Sequence, residues 1–241
     1  MSPQPESAWA VDFDDPRAVL REAVRRFHPE LVVASSFSME DVLLMAMAVE
    51  VEPGIRVFSL DTGRLPEETY WTADAVQRKL EIQIEWQFPE RVAVEELERT
   101  KGLYSFRNSL EDRHECCAVR KVEPLNRALS GVRAWVTGQR RAQSVTRSDL
   151  QVVEPNSTGP WKINPLARWS LDQVRSEVER RGLPIHPLYG RGYTSIGCAP
   201  CTRPVREGED ERAGRWWWER PEHKECGLHT AHPSSRLQEV G

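Results

Sequence analysis

Residues 31–50 read LVVASSFSMEDVLLMAMAVE, a short apolar run followed by a longer one. LVVAS at 31–35 is rich in β-branched residues and predicts a buried strand, and EDVLLMAMAVE from residue 40 predicts a helix. The connection SSFSMED, at 35–41, brings hydroxyls and backbone amides to the start of that helix, where a phosphate or a sulfate can bind. An ordinary helix N-cap is the simpler explanation of these serines when they are taken alone.

The alternation of short apolar runs with longer periodic ones continues along the chain. A helix is predicted to begin before Pro16, and IRVFSLDTG, IQIEW and RAWVTG predict further strands, with helices at about 66–80 and 89–100. This alternation predicts right-handed βαβ units, and therefore an α/β fold with a mainly parallel twisted sheet flanked by helices. Ligands of such open sheets bind at the carboxyl ends of the strands, so the residues that follow each strand are the candidates for a site.

Composition and charge argue against several classes of protein. The chain has 241 residues and a formal charge of -4, which does not favour a nucleic-acid-binding surface. The sequence has neither a basic amino-terminal region followed by an apolar run nor a stretch of about eighteen apolar residues. We therefore expect a cytoplasmic protein with no nucleic-acid partner and no membrane partner.

The composition changes after residue 186, where Gly, Pro, Arg, Trp and Cys become frequent. We predict two units on this basis. The first, residues 1–205, carries the sheet and two pairs of cysteines. The second, residues 206–241, is expected to be a mobile C-terminal segment that carries a single cysteine.

Two other strand ends carry candidates for anion binding. LDTGRLPEE contains Asp61 and Gly63, which a simple turn also explains because Gly63 can supply a positive φ. WVTGQRRAQSVTR contains Arg140, Arg141 and Arg147, which together suit a multiply charged anion. A run of charged residues is otherwise a solvated face, so both interpretations stay open on this pattern alone.

Four of the five cysteines form two close pairs. Cys116 and Cys117 are adjacent in ECCAVRK, and Cys198 and Cys201 form a C-x-x-C loop in GCAPCT. Thiols stay reduced in the cytosol, so these pairs are better explained as metal ligands than as disulfides. Four sulfur ligands suit tetrahedral zinc or a 4Fe-4S cluster, and adjacent cysteines favour the cluster because it offers a separate iron atom to each thiolate. Buried structural thiols are the simpler alternative.

The fifth cysteine, Cys226, lies in ECGLH, close to His223, Lys224 and His229. Positive charges close to a thiol favour the reactive thiolate, so Cys226 is a candidate nucleophile. An idle surface cysteine is the alternative, which ECGLH alone does not exclude.

Taken together, these motifs resemble those of the assimilatory adenylyl-sulfate reductases, the cluster-containing branch of the sulfonucleotide reductase family, whose fold is adenine nucleotide alpha-hydrolase-like. The resemblance covers nearly the whole chain and rests on SSFSMED, LDTGRLPEET, ECCAVRKVEPL, TGQRRAQSVTR, NPLARW, YTSIGCAPCT, GRWWWE and ECGLH. The two cysteine pairs separate this branch from the 3'-phosphoadenylyl-sulfate reductases, which are similar but lack them.

The resemblance implies a reaction, a cofactor and a set of residues. Enzymes of this type reduce adenosine 5'-phosphosulfate to sulfite and AMP through an S-sulfocysteine, from which thioredoxin releases sulfite, in sulfate assimilation and cysteine biosynthesis. The residues implied are Cys226, Lys121, Arg212 and Arg215 for catalysis, Ser36, Ser38, Asp61, Gly63, Arg140, Arg141 and Arg147 for substrate binding, and Cys116, Cys117, Cys198 and Cys201 for a 4Fe-4S cluster.

Lys121 is expected to lie between the cluster and the substrate. A cluster held by four thiolates has a net charge of about -2, which opposes the binding of an anion. Lys121 follows Cys117 by about one helical turn, if this segment is helical, so its ammonium group can stand between the two. We hypothesise an electrostatic role for the cluster, because thiols supply the two reducing electrons.

Other functions fit parts of the pattern. Reduction of the 3'-phosphorylated nucleotide is the nearest. An ATP-dependent tRNA thiolase joins a related fold to an iron-sulfur centre, although the net charge gives no support for tRNA, and a non-enzymatic metal-binding module leaves Cys226 without a role. The run Trp216 to Trp218 fits a core position, with stacking on adenine or docking of thioredoxin as alternatives. A homo-oligomer is possible, and the sequence does not decide it.

Overall fold

The computed structural model describes residues 9–144, 147–156 and 159–220. Within these residues the helices are α1 (Pro16–Phe27), α2 (Met39–Val51), α3 (Glu67–Leu80), α4 (Arg91–Lys101), α5 (Leu110–Cys117), α6 (Glu123–Ala128) and α7 (Leu171–Arg180). The strands are β1 (Leu31–Ser35), β2 (Arg56–Leu60), β3 (Ile84–Gln87), β4 (Ala134–Val136), β5 (Val153–Glu154) and β6 (Trp161–Ile163). The strands and helices predicted from residue 16 to residue 136 are confirmed.

The strands of the described chain form one sheet in the order β3-β2-β1-β4-β6-β5. All neighbouring pairs are parallel except β5 and β6, which are antiparallel. The predicted α/β fold with a mainly parallel sheet is therefore confirmed. Because β1 pairs with β2 on one side and with β4 on the other, the chain leaves the centre of the sheet in both directions, which opens a crevice at the carboxyl ends of these strands.

Successive side chains of a strand point to opposite faces of the sheet. In β1 both sets are mainly apolar, so each face is covered by a core. Leu31 and Val33 of β1 pack into the larger core, to which α1, α2 and α7 contribute their apolar residues. Val32 packs into a smaller core with Leu125 of α6 and Trp135 of β4. Helices thus flank the sheet on both sides, as predicted.

α2 is the central helix of the larger core and is buried continuously from Met39 to Ala48. It packs against α1 and α7. Its first turn is capped by Ser38, whose Oγ accepts a hydrogen bond from the backbone N of Asp41 at 3.3 Å. The N-cap interpretation of this serine is confirmed, and the cap fixes the loop that leaves β1.

Residues 202–220 pack against the rest of the described chain rather than extending from it. The backbone N of Trp216 donates to the carbonyl O of Cys201 at 3.1 Å, and Thr202 forms an isolated antiparallel bridge with Arg215. The division of the chain after residue 205 stays a prediction. The part of its second unit that the structure describes, residues 206–220, contacts the first.

Candidate active site

A cleft with a volume of about 200 Å³ lies at the carboxyl ends of β1, β2 and β4. Its lining combines apolar side chains, among them Phe58 and Trp135, with hydroxyls, carboxylates and basic groups. The predicted catalytic and substrate-binding residues that line it are Ser36, Ser38, Lys121, Arg147, Arg212 and Arg215, and the predicted cluster ligand Cys198 lines it as well. The cleft thus lies where an open α/β sheet binds its ligand.

A buried carboxylate holds the loop between β1 and α2. Asp41 Oδ2 accepts hydrogen bonds from the backbone N of Ser36 at 2.6 Å and from its Oγ at 2.7 Å. Burial raises the pKa of Asp41, while the hydrogen bonds from Ser36 act in the opposite direction. Gly138 approaches this carboxylate so closely that a Cβ there would lie 2.4 Å from Asp41 Oδ1. Asp41 and Gly138 therefore set the shape of the loop that presents Ser36 to the cleft.

Asp61 and Gly63 form the turn after β2 and do not line the cleft. Asp61 accepts hydrogen bonds from the backbone N of Gly63 at 2.8 Å and from the Tyr70 hydroxyl at 2.9 Å. Gly63 has a φ of 69°, which favours glycine. This geometry matches the turn interpretation, and the neighbouring Thr62 lines the cleft instead. Substrate binding by Asp61 and Gly63 stays a prediction that the geometry does not support.

Arg140 and Arg141 do not line the cleft either. Arg140 is 0% exposed and donates through Nε to Glu40 Oε1 at 2.8 Å and through Nη2 to Glu211 Oε1 at 2.8 Å. Arg141 Nε donates to the carbonyl O of Leu150 at 2.7 Å. The arginine run suited an anion, but the sequence did not reveal the two carboxylates that pair with Arg140. The structure therefore does not bring these two arginines to the cleft.

Arg147 is the member of that arginine group that lines the cleft. Its Nη1 donates to Gln143 Oε1 at 2.6 Å, and Gln143 Nε2 donates to Glu40 Oε1 at 3.0 Å. A guanidinium held in this way on the wall of a cleft suits contact with an anionic ligand.

A second cavity, which we call the thiol pocket, is lined by Cys116, Cys117, Cys198 and Cys201. None of these four cysteines forms a disulfide within the described residues, and each is at most 9% exposed. Cys116 and Cys117 end α5, directly before a π-helical turn at Ala118–Val122. The structure thus brings the two predicted cysteine pairs together.

The donor set of the thiol pocket fits an iron-sulfur cluster. Apart from the thiols, the described residues that line it are basic or aromatic, with no carboxylate and no imidazole. Residues 9–144, 147–156 and 159–220 contain no group of three or more His, Cys, Asp or Glu side chains that could hold a metal ion. The four thiols nevertheless line one cavity. Sulfur ligands within a basic surround suit an anionic cluster.

Carboxylates hold the basic groups around the thiol pocket. Arg120 donates through Nη1 to the carbonyl O of Thr62 at 2.7 Å and through Nη2 to Glu98. Arg113 is 0% exposed and donates through Nε and Nη2 to Glu219, both at 2.9 Å. Bidentate pairing of this kind fixes the orientation of a guanidinium group.

The thiols differ in how easily they ionise. Burial raises the pKa of Cys201 to about 11 and also raises the pKa of Cys116. Burial acts in the same direction on Cys198, but Lys121, the hydrogen bond with Thr62 and nearby arginines bring the pKa of Cys198 below its usual value. The Thr62 Oγ1 lies 3.2 Å from the Cys198 Sγ. Cys198 is therefore more readily ionised than Cys116 or Cys201.

Lys121, Cys198 and Trp216 line both cavities and form the wall between them. Trp216 is 1% exposed, and its ring centroid lies 4.7 Å from the guanidinium of Arg113 and 4.6 Å from that of Arg215. The Nζ of Lys121 lies 5.9 Å from the same centroid. Trp216 is thus a core residue of this wall, packed by cation–π contacts.

Cys226, the predicted nucleophile, lies outside the residues that the structure describes. Its role therefore stays a prediction from the sequence.

The chain matches the model of a known protein family. The phosphoadenosine phosphosulfate reductase domain matches residues 30–204 of the chain. That span contains the loop after β1 and both cysteine pairs. The chain belongs to the phosphoadenosine phosphosulfate reductase family.

Relatives within the phosphoadenosine phosphosulfate reductase family are similar over most of their length. Adenosine 5'-phosphosulfate reductase of Burkholderia cepacia is 47% identical over 226 residues, which are 93% of this chain and 89% of that protein. Adenosine 5'-phosphosulfate reductase of Allochromatium vinosum is 48% identical over 200 residues, which are 83% of this chain and 78% of that protein.

A solved structure of the same family confirms the fold. The phosphoadenylyl-sulfate reductase from Candida auris superposes with a TM-score of 0.67 at 29% identity, and the match covers 79% of this chain and 90% of that one. No helix in the described part of the chain has the length and the hydropathy needed to cross a bilayer.

Sequence reasoning missed several residues of this family member's site. Glu40 and Asp41 line the cleft, but acidic residues in the first turn of a helix are common because they complement its dipole. Arg120 lies within ECCAVRK, where only Lys121 stood out. Glu211 precedes the predicted Arg212, and nothing in its local pattern indicated that it pairs with Arg140.

Proposed function

We propose that the chain catalyses the thioredoxin-dependent reduction of adenosine 5'-phosphosulfate to sulfite and AMP, in assimilatory sulfate reduction and cysteine biosynthesis. The observation that carries this proposal is the wall of Lys121, Cys198 and Trp216, which separates a cleft suited to an anionic nucleotide from a pocket of four thiols. The names of the Burkholderia and Allochromatium relatives support the choice of nucleotide.

The thiol pocket would hold a 4Fe-4S cluster through Cys116, Cys117, Cys198 and Cys201. When bound, the cluster would supply a fixed negative charge beside the cleft. The chain's own residues offset that charge, because Lys121 lines both cavities and Arg120 lines the thiol pocket. An anion can then enter the cleft without facing uncompensated negative charge.

The cleft would bind the phosphosulfate group of the nucleotide. Ser36 and Ser38 stand at the start of α2, where hydroxyls and backbone N–H groups suit phosphate or sulfate oxygens. Arg147 approaches from the loop after β4, and Arg212 and Arg215 approach from the segment 206–220. These cations would stabilise the charge that accumulates on the leaving oxygen of AMP.

Cys226 would carry the covalent step. Its thiolate attacks the sulfonyl sulfur, so that an S–S bond forms, the S–O bond to AMP breaks, and AMP leaves with the electron pair. A thioredoxin thiolate then attacks the Cys226 sulfur and displaces sulfite. The second thioredoxin thiol closes the thioredoxin disulfide and returns Cys226 to a thiol, so the two electrons come from thioredoxin.

The two halves of this reaction take place with different partners. Cys226 must meet the nucleotide in the cleft and then meet thioredoxin, a protein too large to enter the cleft. The mobile C-terminal segment predicted at residues 206–241 would make this movement, in the way that mobile segments close and open other active sites. We place the reaction in the cytoplasm, where thiols are kept reduced.

Mass spectrometry of the protein after incubation with adenosine 5'-phosphosulfate tests the proposal. We expect an added mass of about 80 Da, the mass of one sulfite group bound to a thiol, on the peptide that contains Cys226. Reduced thioredoxin should remove this mass and release sulfite. An unmodified Cys226 peptide, with sulfite formed all the same, would contradict the proposal.

A second candidate is reduction of the 3'-phosphorylated nucleotide. The name of the matched domain and that of the Candida auris neighbour favour it. Rates of sulfite release from the two nucleotides at equal concentration separate the candidates. The proposal expects the nucleotide without the 3'-phosphate to be reduced faster.

A further inference from the structure

Arg140 lies where three parts of the cleft wall meet: the start of α2, the loop after β4 and the segment 206–220. Its side chain is 0% exposed, and the side chains of its partners Glu40 and Glu211 are 3% and 18% exposed. The three groups are therefore largely removed from water. Two carboxylates share one guanidinium, so Arg140 is already compensated without a ligand.

Glu211 is anchored through its side chain and through its backbone. Both of its carboxylate oxygens accept from Arg140 Nη2, at 2.8 Å and 3.1 Å. Its backbone carbonyl accepts from the Thr194 hydroxyl. The next residue, Arg212, lines the cleft, so the position of Arg212 depends on these anchors.

A second anchor follows three residues after Arg212. Arg215 forms a bridge with Thr202 and donates through Nη1 to the carbonyl O of Ile196 at 3.3 Å. Arg212 is thus held between two fixed points of the segment. The first of these points is attached to α2 through Arg140 and Glu40.

We propose that Arg140 is a positioning residue which, through Glu211, fixes Arg212 on the wall of the cleft. This rests on the proposed function, because it takes Arg212 to bind the phosphate of the nucleotide. Direct binding of the ligand by Arg140 is the alternative, since the buried Nη1 of Arg140 makes no hydrogen bond to the described residues.

The variant Glu211→Gln separates the two roles by the sign of its effect. Glutamine keeps the size of the side chain but removes a negative charge from the wall of the cleft. If Arg140 binds the anion directly, the loss of a competing carboxylate leaves AMP binding unchanged or strengthens it. If Arg140 acts through Glu211, the anchor of Arg212 loosens and AMP binds about tenfold more weakly, a loss of about 1.4 kcal/mol in binding free energy.

Titration calorimetry measures the affinity for AMP without turnover. The experiment uses the full-length protein with the iron-sulfur cluster in its thiol pocket. Glu209→Gln is the matched control, because Glu209 lies in the same segment and pairs with Arg203 at 2.8 Å, outside the lining of the cleft. We expect Glu209→Gln to bind AMP as the parent does.

A double-mutant cycle distinguishes positioning from a general loss of structure. In the Arg212→Ala background, Glu211→Gln should change AMP affinity by less than about twofold, because the residue that it positions is absent. The same tenfold loss in that background, or no loss in the parent, would overturn the inference.

Thr194→Val tests the same anchor if Glu211→Gln fails to fold. It removes the hydroxyl that holds the Glu211 carbonyl and changes no charge, and we expect AMP affinity to fall by about threefold. Unchanged affinity would overturn the inference. If the parent protein binds no AMP, the proposed function fails and the inference fails with it. If the parent binds AMP and both variants bind it equally well, the inference alone fails.

Discussion

The cleft and the thiol pocket share a wall and a basic character, but they differ in what accompanies the basic groups. Carboxylates of Glu40, Asp41 and Glu211 line the cleft together with its arginines and lysine. The described residues that line the thiol pocket include no carboxylate, and the acidic partners Glu98 and Glu219 stand behind its arginines. The thiol pocket thus presents positive charge directly to its sulfur atoms.

Under the proposed function, the two cavities would be two kinds of anion site. A permanently bound anion can lie directly against the arginines of the thiol pocket, whose carboxylate partners Glu98 and Glu219 lie outside its lining. A site whose anion enters and leaves must keep its cations partly compensated while it is empty. The cleft has that mixed lining, and the thiol pocket does not.

Lys121 joins the two cavities, and its removal is expected to have the largest effect on activity. Lys121→Ala should lower kcat/KM for sulfite formation by about 10² to 10³, the usual result of removing one group that stabilises transition-state charge. Iron content should not change, because Lys121 is not a sulfur ligand. Lys79→Ala, at an exposed position on α3, should leave both quantities unchanged. A fall of less than about threefold would show that the shared wall carries no catalytic charge.

Gly138→Ala should damage the cleft and spare the thiol pocket. The added Cβ would lie 2.4 Å from Asp41 Oδ1 and 3.1 Å from the backbone N of Asp41, so the start of α2 must shift. We expect about tenfold weaker AMP binding and a free energy of unfolding lower by about 1–3 kcal/mol.

Gly190→Ala is the control for this change, because a Cβ at Gly190 would meet nothing within 4 Å. Calorimetry and urea unfolding measure the two effects, and iron analysis checks the thiol pocket. Loss of iron in Gly138→Ala would contradict the separation of the two cavities.

Ser38→Ala should have a smaller effect on AMP affinity, and it separates a role in the cleft from a role as a helix cap. Ser38 caps α2 and lines the cleft, whereas Ser170 caps α7, where its Oγ accepts from the backbone N of Gln173 at 3.2 Å. Loss of either cap should lower the free energy of unfolding by about 1 kcal/mol. AMP affinity should fall by about threefold in Ser38→Ala and stay constant in Ser170→Ala. Equal AMP affinity in the two variants would show that Ser38 only caps α2 and does not contribute to AMP binding.

His186 lies behind the lining of the cleft. The effect of its titration on the free energy of unfolding is smallest at neutral pH. Its Nε2 lies 3.0 Å from the Oγ1 of Thr69, a residue of the cleft lining, and its Nδ1 accepts from the backbone N of Leu188 at 3.2 Å. Burial lowers the pKa of His186 from 6.5 to about 4.

The pKa of His186 is 6.5 in the unfolded chain and about 4 in the folded protein, so the unfolded chain takes up a proton at His186 at a higher pH than the folded protein does. The stability that neutral His186 contributes is present above pH 6.5 and is lost as the pH falls towards about 4. Urea unfolding across this range should show a steeper loss for the parent than for His186→Asn, which has no group that titrates there. Parallel curves for the two proteins would contradict the assignment.

The fold and the thiol pocket could be predicted from the sequence because their signals are local. Apolar runs such as LVVAS and the helix periodicity around them specify βαβ units, and the two cysteine pairs are visible as spacings. The places of Ser36 and Ser38 at the end of β1 followed from the rule that open sheets bind ligands there.

The contacts that the sequence did not reveal join residues far apart in the chain. Arg140 and Glu211 are 71 residues apart, and Arg113 and Glu219 are 106 residues apart. A local pattern cannot tell an arginine that meets a ligand from one that meets a distant carboxylate. For the same reason the sequence did not decide between the core and ligand roles of Trp216.

In the proposed function, four cysteines hold a cluster while a fifth does the covalent chemistry. The most direct test measures iron content, visible absorbance and sulfite formation together in Cys226→Ser, with Cys198→Ser as its counterpart. We expect Cys226→Ser to keep its iron and its brown colour and to form no sulfite, and Cys198→Ser to lose both iron and activity. Sulfite formation at the parent rate by Cys226→Ser, or a full complement of iron in Cys198→Ser, would contradict this division of roles.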